Sequence, residues 1–272
     1  MLPVSSEKGY ALLKRNLLKF EQRRPFDPAP IWDALPQIGR GSFNEVRGPL
    51  PPDQLAALRL SPDTSVVLRR TLQPTPFAKV IGEAWLTRRM GILEVSPKVY
   101  SMWLERESQT HARLYVVMDL YQGSLQSLLK RRALTSAEEA VLQRYLQTVA
   151  ESGYVLLDIK PGNIVFAEGA LKLIDFGADH TVLAPELSCA SRELLHTALL
   201  SAISICVTGR VLLRERLNAL AHDPLVRFLN EDERDEDKLW TRVTRQLTHY
   251  LKDCVNGRSL WAYLVWNGAV TA

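Results

Sequence analysis

The sequence predicts an α+β protein in which a strand-rich first half precedes a helix-rich second half. The first half contains alternating, β-branched segments such as TSVVLRRTL at 64–72, a pattern typical of strands. In the second half apolar residues recur at helical spacing, as in TSAEEAVLQRYLQTVAESG at 135–153. With 272 residues, of which 46% are hydrophobic and 24% charged, the chain is long enough for one large domain or two lobes.

The first half divides into elements at clear breaks. Residues 1–24 have helical spacing, and the three prolines of RPFDPAP at 24–30 end that helix. A strand–turn–strand pattern around IGRGSFNEV starts at Ile38, and GPLPPDQ at 48–54 is predicted to be a loop. A strand at 64–72, a helix at 77–91 and two strands at 96–105 and 112–121 complete this half.

The second half combines helices with one unusually polar stretch. Residues 123–134 and 135–153 have helical spacing, and Thr135 and Ser136 are each followed three residues later by a glutamate, as in a capping box. The stretch YVLLDIKPGNIVF at 154–166 places a carboxylate, a lysine and an amide between apolar flanks. The apolar run ALLSAISICV at 198–207 is shorter than a membrane span and is predicted to be a buried helix.

Charge and cysteine content narrow the function classes. The net charge of +4 is small, and the basic stretch KRNLLKFEQRR at 14–24 is predicted to be the solvated face of a helix, so nucleic acid is not an expected partner. Cys189, Cys206 and Cys254 lie far apart, which indicates neither a disulfide framework nor a zinc site. No signal-peptide pattern is present, and we expect an intracellular, soluble protein that does not bind membranes.

The motifs gain weight from their order along the chain. GRGSF at 39–43 and DFG at 175–177 are weak signals when taken alone. Together with a mid-helix glutamate, VMD at 117–119 and DIKPGN at 158–163, they form a series that resembles the protein-kinase signature set. The resemblance covers about residues 32–210. It implies a bilobal fold with an N-terminal helical extension at 1–31, a small antiparallel sheet with one helix at 32–119, and a mainly helical lobe at 120–272.

The resemblance also implies phosphoryl transfer from ATP with Mg²⁺. In such a site Asp158 accepts or orients the proton of the attacking hydroxyl, and Lys160 lies against the γ-phosphate. Asn163 and Asp175 would coordinate Mg²⁺, which prefers oxygen ligands. The position of Lys160, two residues after Asp158, is that of serine/threonine-type kinases, so the implied substrate is a protein hydroxyl.

A second set of residues is implied in ATP binding. Small residues of the glycine-rich loop admit phosphates, valines form apolar walls, and backbone groups after the gatekeeper Met118 pair with the adenine edge. The residues in this set are Gly39, Gly41, Ser42, Val46, Val67, Arg69, Glu83, Asp119, Tyr121 and Val165.

The charged pair of the first lobe departs from the family pattern. Arg69 stands where the family has a lysine, and strand alternation places it on the face opposite Arg70, with Glu83 as its expected partner. Lys79, one helical turn before Glu83, is an alternative cation, and a site without a competent cation is a third reading. Asn44 replaces the last glycine of the loop and is expected to tolerate a positive φ.

The regulatory segments are shortened. Leu156 and Leu157 replace the His-Arg that precedes the catalytic aspartate in the family, and six residues separate DFG from APE at 184–186. We therefore expect a kinase that needs no activation-loop phosphorylation, of the trimmed type that large DNA viruses and bacterial effectors carry, acting in the host cell. The family's aspartate that braces the catalytic loop is missing from the next helix, and Ser191 or Glu193 is expected in its place.

Three functions remain open from the sequence. The first is an active serine/threonine protein kinase. The second is a pseudokinase scaffold in which Arg69 fails to align the phosphates. The third is a small-molecule kinase, which the short segment after DFG favours because it leaves little platform for a peptide.

Overall fold

The computed structural model describes residues 24–219 except 168, 178, 179 and 185, together with 235, 236, 238, 239, 241, 242 and 245. Its helices are α1 (Ala29–Trp32), α2 (Pro52–Ala57), α3 (Phe77–Ile92), α4 (Leu125–Leu129), α5 (Ser136–Glu151), α6 (Cys189–Thr208) and α7 (Arg214–Ala219). Its strands are β1 (Gln37–Arg40), β2 (Asn44–Arg47), β3 (Val66–Thr71), β4 (Thr75–Pro76), β5 (Val99–Arg106), β6 (His111–Asp119), β7 (Gly123–Ser124), β8 (Tyr154–Leu156), β9 (Ile164–Ala167), β10 (Ala170–Leu173) and β11 (Thr181–Leu183). The mixture of helices and antiparallel sheets confirms the predicted α+β class.

The chain divides after Leu120 into two compact units, one ending at that residue and one beginning at Tyr121. Strands dominate the described part of the first unit, and α5 and α6 dominate that of the second. Apart from Arg24, the helix predicted at 1–24 lies outside the described residues, and with it most of the extension predicted at 1–31. The boundaries of the three predicted domains stay a prediction.

The described residues of the first unit form a six-stranded antiparallel sheet in the order β1-β2-β3-β6-β4, with β5 also paired to β6. Successive residues of β3 alternate between its two faces. Val66 and Leu68 point into an aromatic core, whose other members are Trp32, Leu35, Leu50, Leu55, Trp103, Tyr115 and Val117. Trp103 and Tyr115 stack there with ring centroids 5.2 Å apart. The opposite face of the sheet therefore carries Val67 and Arg69.

Two short helices add to the single helix that the resemblance implied for this lobe. The loop predicted at 48–54 was wrong in its second half, because α2 begins at Pro52. A proline suits the first position of a helix, where its missing N–H has no partner to lose, and Asp53 carries negative charge in the first turn. Leu55 then anchors α2 in the aromatic core.

The capping box predicted at the start of the long helix is confirmed for Thr135. Its hydroxyl accepts from the Glu138 amide at 3.2 Å, and the Glu138 carboxylate accepts from the Thr135 amide at 2.8 Å. Arg132 donates two further hydrogen bonds to that carboxylate, at 2.7 and 2.8 Å. These contacts, Arg132 first among them, lower the pKa of Glu138 to about 2 against the cost of burial. The helix predicted before it, at 123–134, is shorter and ends at Leu129.

Helix α6 contains the apolar run predicted to be a buried helix. By length and composition it is the one helix among the described residues that could cross a membrane, but 72% of its apolar window is buried in the structure. The helix therefore has the pattern of a core element. Within it His196 is fully buried, and its Nε2 accepts a hydrogen bond from the Leu156 amide at 2.9 Å.

Burial lowers the pKa of His196 to about 4, and the charge of Arg192 on the same helix lowers it further, while the Leu146 carbonyl of α5 opposes the change. The group that β8 presents to the ring is the uncharged Leu156 amide. A folded protein therefore keeps this imidazole neutral at pH values where the unfolded chain would protonate it.

Replacing Thr135 with alanine should lower the free energy of unfolding by about 1 kcal/mol, because the Glu138 amide loses its acceptor at the helix start. Urea unfolding followed by circular dichroism measures the change. Ser136→Ala is the matched control, since Ser136 is exposed and lies one residue away. Equal losses in the two variants would contradict the cap assignment.

Acid should destabilise the fold through His196. Between its unfolded pKa of 6.5 and its folded pKa of about 4, the unfolded chain binds a proton that the native state does not, so stability falls as pH falls. The wild type should lose about 2 kcal/mol of unfolding free energy between pH 7 and pH 5 through this group. Over the same interval His196→Gln should lose about 2 kcal/mol less unfolding free energy than the wild type, because it lacks this titrating group. If the unfolding free energies of the two proteins changed in parallel with pH, the assignment would be wrong.

Candidate active site

Two short antiparallel ladders bring the polar motifs of the second unit together. Because Ile164 of β9 pairs with Leu173 of β10, the residues just outside the hairpin, Asn163 and Ile174, also meet. The Ile174 amide donates to the Asn163 carbonyl at 2.9 Å. In the other ladder β8 pairs with β11, and the Leu157 amide donates to the His180 carbonyl at 2.7 Å.

Asp158, Asn163 and Asp175 line one pocket as a result. The other residues around it are Leu156, Ile159, Leu173, Ile174, Phe176, His180 and Thr181. The pocket lies wholly within the second unit. The structure thus gathers three of the four residues predicted for catalysis and metal binding around a single cavity.

Hydrogen bonds within DIKPGN fix the orientation of Asp158. The Asn163 side-chain amide donates to the Asp158 carbonyl at 2.9 Å and to its carboxylate Oδ2 at 2.8 Å. Lys160, the fourth predicted residue, holds its Nζ 3.1 Å from Oδ1 of the same carboxylate. A 3₁₀ turn at Pro161–Asn163 makes this possible, because it folds Asn163 back toward Asp158. Since Nδ2 of Asn163 makes both contacts, its Oδ1 is the atom that remains for a cation.

Asp175 adds a carboxylate in an uncommon backbone conformation. Its φ of 64° lies in the left-handed region, which costs free energy for residues other than glycine and is often found at functional sites. Phe176, directly after it, is buried. The described residues contain no cluster of three His, Cys, Asp or Glu side chains suited to a metal. Mg²⁺, however, commonly uses one or two carboxylates plus phosphate and water oxygens, and Asp175 with Asn163 fits that requirement.

In the first unit Arg69 forms the ion pair expected of it. Its side chain is only 7% exposed, and its Nη2 lies 2.7 Å from Oε1 of Glu83 on α3. Its Nε has no hydrogen-bond partner among the described residues, so one buried donor of the guanidinium remains available. Arg70 takes the other face of β3, with its guanidinium 3.9 Å from the Trp32 ring centroid. The expected pairing of Arg69 with Glu83 is confirmed, whereas the choice of Arg69, Lys79 or no cation as the phosphate contact stays open.

The glycine-rich loop joins β1 to β2. The Gly41 amide donates to the Asn44 carbonyl at 2.8 Å, and Phe43 at the tip is 69% exposed. A Cβ added at Gly39 would meet nothing within 4 Å, and one added at Gly41 would meet only the Asn44 carbonyl at 3.8 Å. Asn44 does not adopt the positive φ that was expected to be tolerated there. The protein itself therefore does not need glycine at these two positions, and their small size leaves room above the loop, which also contains Ser42.

Two of the three valines predicted as apolar walls share the face of Arg69 in the sheet. Val46 is the cross-strand partner of Arg69, Val67 precedes Arg69 by two residues, and Met118 is the partner of Val67. At the end of β6 the Asp119 carboxylate accepts from the Tyr100 hydroxyl at 2.8 Å and the Lys98 amide at 3.1 Å. Tyr121 and the half-buried Val165 belong to the second unit. The pairing of Asp119 and Tyr121 with adenine stays a prediction.

The short segment after DFG is held by backbone contacts and by Arg192, a residue that the sequence analysis missed. The Ala184 amide donates to the Gly153 carbonyl at 2.8 Å. The buried Arg192 donates to the carbonyls of Ala150 at 2.6 Å and Ala184 at 2.8 Å, and also to that of Leu187. The only sequence signal was a charged residue next to a long apolar run.

The expectation that Ser191 or Glu193 braces the catalytic loop was wrong. Ser191 bonds through its amide and its hydroxyl to the Ser188 hydroxyl at the start of α6, at 3.0 and 2.8 Å. Glu193 pairs with Arg216 through two contacts of 3.1 Å. Instead, His196 of α6 contacts the backbone just before Asp158, where it accepts a hydrogen bond from the Leu156 amide. The sequence signal for it was a single histidine inside an apolar run.

Comparisons with known proteins find sequence similarity to protein kinases, although no family model matches the chain. Over 105 residues the chain is 33% identical to a Wee1-like protein kinase of Arabidopsis thaliana, a match that covers 36% of this chain and 20% of that protein. It is 27% identical to the serine/threonine-protein kinases sax-1 of Caenorhabditis elegans and tricornered of Drosophila pseudoobscura pseudoobscura. Those two matches cover 64% of this chain.

The chain spans between 20% and 36% of the length of the relatives it matches. All of these relatives are named protein kinases, and sax-1 and tricornered are named serine/threonine-protein kinases. This homology, weak but consistent, relates the chain to the eukaryotic serine/threonine protein kinases and is consistent with its α+β architecture.

Proposed function

We propose that the protein is an ATP- and Mg²⁺-dependent serine/threonine protein kinase that transfers the γ-phosphoryl group to a protein hydroxyl. The observation that carries this proposal is the convergence of Asp158, Asn163 and Asp175 on one pocket. Phosphoryl transfer needs positioning and neutralised charge more than covalent help, and oxygen ligands beside an oriented carboxylate supply both.

The contacts of the second-unit residues assign each of them a separate role in the proposed reaction. Asp158, held by Asn163 and Lys160, would accept or orient the proton of the attacking hydroxyl. The ammonium of Lys160, already beside that carboxylate, would lie against the transferring phosphoryl group. Asn163 and Asp175 would hold Mg²⁺, which neutralises charge on the phosphate oxygens when bound.

The first unit carries residues that by themselves fit contacts to a nucleotide. Arg69 is buried, oriented by Glu83 and left with a free Nε–H, which suits a guanidinium that donates to a phosphate oxygen. The open space at Gly39 and Gly41 would admit phosphates to the backbone amides of the loop. Val46, Val67 and Met118 would contact the adenine ring.

We infer that the enzyme needs no phosphorylation of an activation loop. The segment after Asp175 is already fixed by the β8–β11 ladder, by the Ala184–Gly153 hydrogen bond and by Arg192. Leu157 stands where the family has the arginine that binds a phosphorylated loop. Its amide donates to the His180 carbonyl at the end of the same ladder. A place in the host cell as a viral or effector-type kinase rests only on this trimming and stays a prediction.

Two observations favour other candidates. The pairing of Glu83 with an arginine instead of a lysine favours a pseudokinase scaffold if the planar guanidinium misplaces the phosphates. The short segment after DFG favours a small-molecule kinase, because it offers little surface to dock a peptide.

One reaction series separates the three functions. Purified chain is incubated with labelled ATP and Mg²⁺, in parallel with a panel of protein substrates and with a panel of soluble metabolites that carry hydroxyl groups. Label on serine or threonine of a protein supports the proposal, and label on metabolites alone supports the small-molecule kinase. Absence of transfer in both, with or without thermal stabilisation by Mg·ATP, overturns the proposal.

Asp158→Asn should reduce phosphoryl transfer by about 100-fold or more, since general-base assistance contributes on that scale, while Mg·ATP still raises the melting temperature as in the wild type. Labelled-ATP turnover and thermal shift measure the two effects. Glu151→Gln, which removes an exposed carboxylate of α5, is the matched control and should keep wild-type turnover. Wild-type turnover in Asp158→Asn would remove Asp158 from the mechanism.

Arg69→Met should lower kcat/KM for ATP by about 100-fold, because a preorganised donor to the phosphates is lost, whereas Arg69→Lys should keep measurable transfer. Glu83→Gln is combined with Arg69→Met to avoid a buried unpaired carboxylate. Arg70→Lys changes the neighbouring arginine on the opposite face and should leave kcat/KM unchanged. If the double variant used ATP as well as the wild type, Arg69 would not be a phosphate ligand.

A further inference from the structure

The backbone that leads into Asp158 is anchored by a side chain from another part of the chain. The Leu156 amide donates to Nε2 of His196 at 2.9 Å, and both residues are buried. Leu156 is the last residue of β8 and lies two residues before Asp158. The contact joins positions 40 residues apart, so the fold of the second unit brings them together.

Strand geometry explains why an acceptor is needed at this point. Successive amides of a strand point to opposite edges, and the Leu157 amide is used by the His180 carbonyl on the β11 side. The Leu156 amide therefore points away from β11, toward an edge of β8 that pairs with no other strand among the described residues. A buried amide without an acceptor costs about 1–3 kcal/mol, and Nε2 of His196 removes that cost.

The same contact restricts how Asp158 can move. Asn163 and Lys160 contact the Asp158 side chain, whereas His196 fixes the main chain behind it. Without the acceptor, Leu156 would gain by turning its amide toward another polar group or water, and the two residues between it and Asp158 would follow. A displacement of about 1 Å at a reacting group costs on the order of 100-fold in rate.

We propose that His196 is a positioning residue for phosphoryl transfer, which holds the Asp158 carboxylate in place through the Leu156 amide. This inference rests on the proposed kinase activity. His196 itself does not touch the carboxylate; it acts through the backbone, and only a neutral imidazole with an unprotonated Nε2 can do so. The effect should therefore fall on the chemical step and leave nucleotide binding intact.

The test compares kcat and the KM for ATP in four variants. His196→Met, which fills the space without a good acceptor, should lower kcat about tenfold or more at unchanged KM. His196→Gln should recover most of kcat because its amide oxygen reaches the position of Nε2, whereas the shorter His196→Asn should not. Ser201→Ala removes a different buried hydrogen bond of α6, a 2.7 Å contact to the Leu212 carbonyl, and should leave kcat unchanged.

A second readout does not depend on activity. Hydrogen exchange of the Leu156 amide should be at least about tenfold faster in His196→Met and His196→Asn than in the wild type and His196→Gln. Equal kcat in all folded His196 variants overturns the inference. If His196→Met does not fold, the inference is decided by comparing the kcat of His196→Gln with that of His196→Asn. If the wild type transfers no phosphate, the kinase proposal fails. Hydrogen exchange of the Leu156 amide then still shows whether His196 fixes the backbone before Asp158.

Discussion

The hydrogen bond from the Ile174 amide to the Asn163 carbonyl is the contact on which the candidate site depends. It extends the β9–β10 ladder by one step and places the DFG aspartate beside DIKPGN. In a ladder of this kind a slip of one residue would turn every side chain to the opposite face. Asp175 would then leave the pocket, and Asn163 would have no second oxygen ligand to share a cation. A short hairpin thus decides whether the proposed metal ligands lie together.

In the first unit, the guanidinium of Arg69 is a positive charge buried against the sheet. A lone buried charge is costly, and the Glu83 carboxylate offsets much of that cost for Arg69. The aromatic core packs on the other face of β3, so strand geometry as well as Glu83 sets the position of the guanidinium. Arg70 shows how strictly the alternation works, because the next residue along the strand packs on Trp32 instead.

Features with a local signal could be predicted from the sequence. The Thr135 cap depends on residues three positions apart, and the two faces of β3 follow from alternation, so both were found. The loop predicted at 48–54 failed because proline and aspartate favour turns and helix starts alike, and only the burial of Leu55 decides between them. The contact expected of Ser191 or Glu193 was wrong for another reason. An imidazole and a carboxylate both accept hydrogen bonds, and the contact of His196 with the Leu156 amide depends on packing between distant segments.

The arginine in β3 also decides which chemical reagents can recognise this protein. Nucleotide analogues that acylate an active-site amine need a nitrogen that can lose its proton, and a guanidinium stays protonated in proteins. At the Arg69 position such reagents find no nucleophile, although Lys160 offers one beside Asp158. Under the proposed function, reagents that label only the strand amine would therefore leave this chain unmodified.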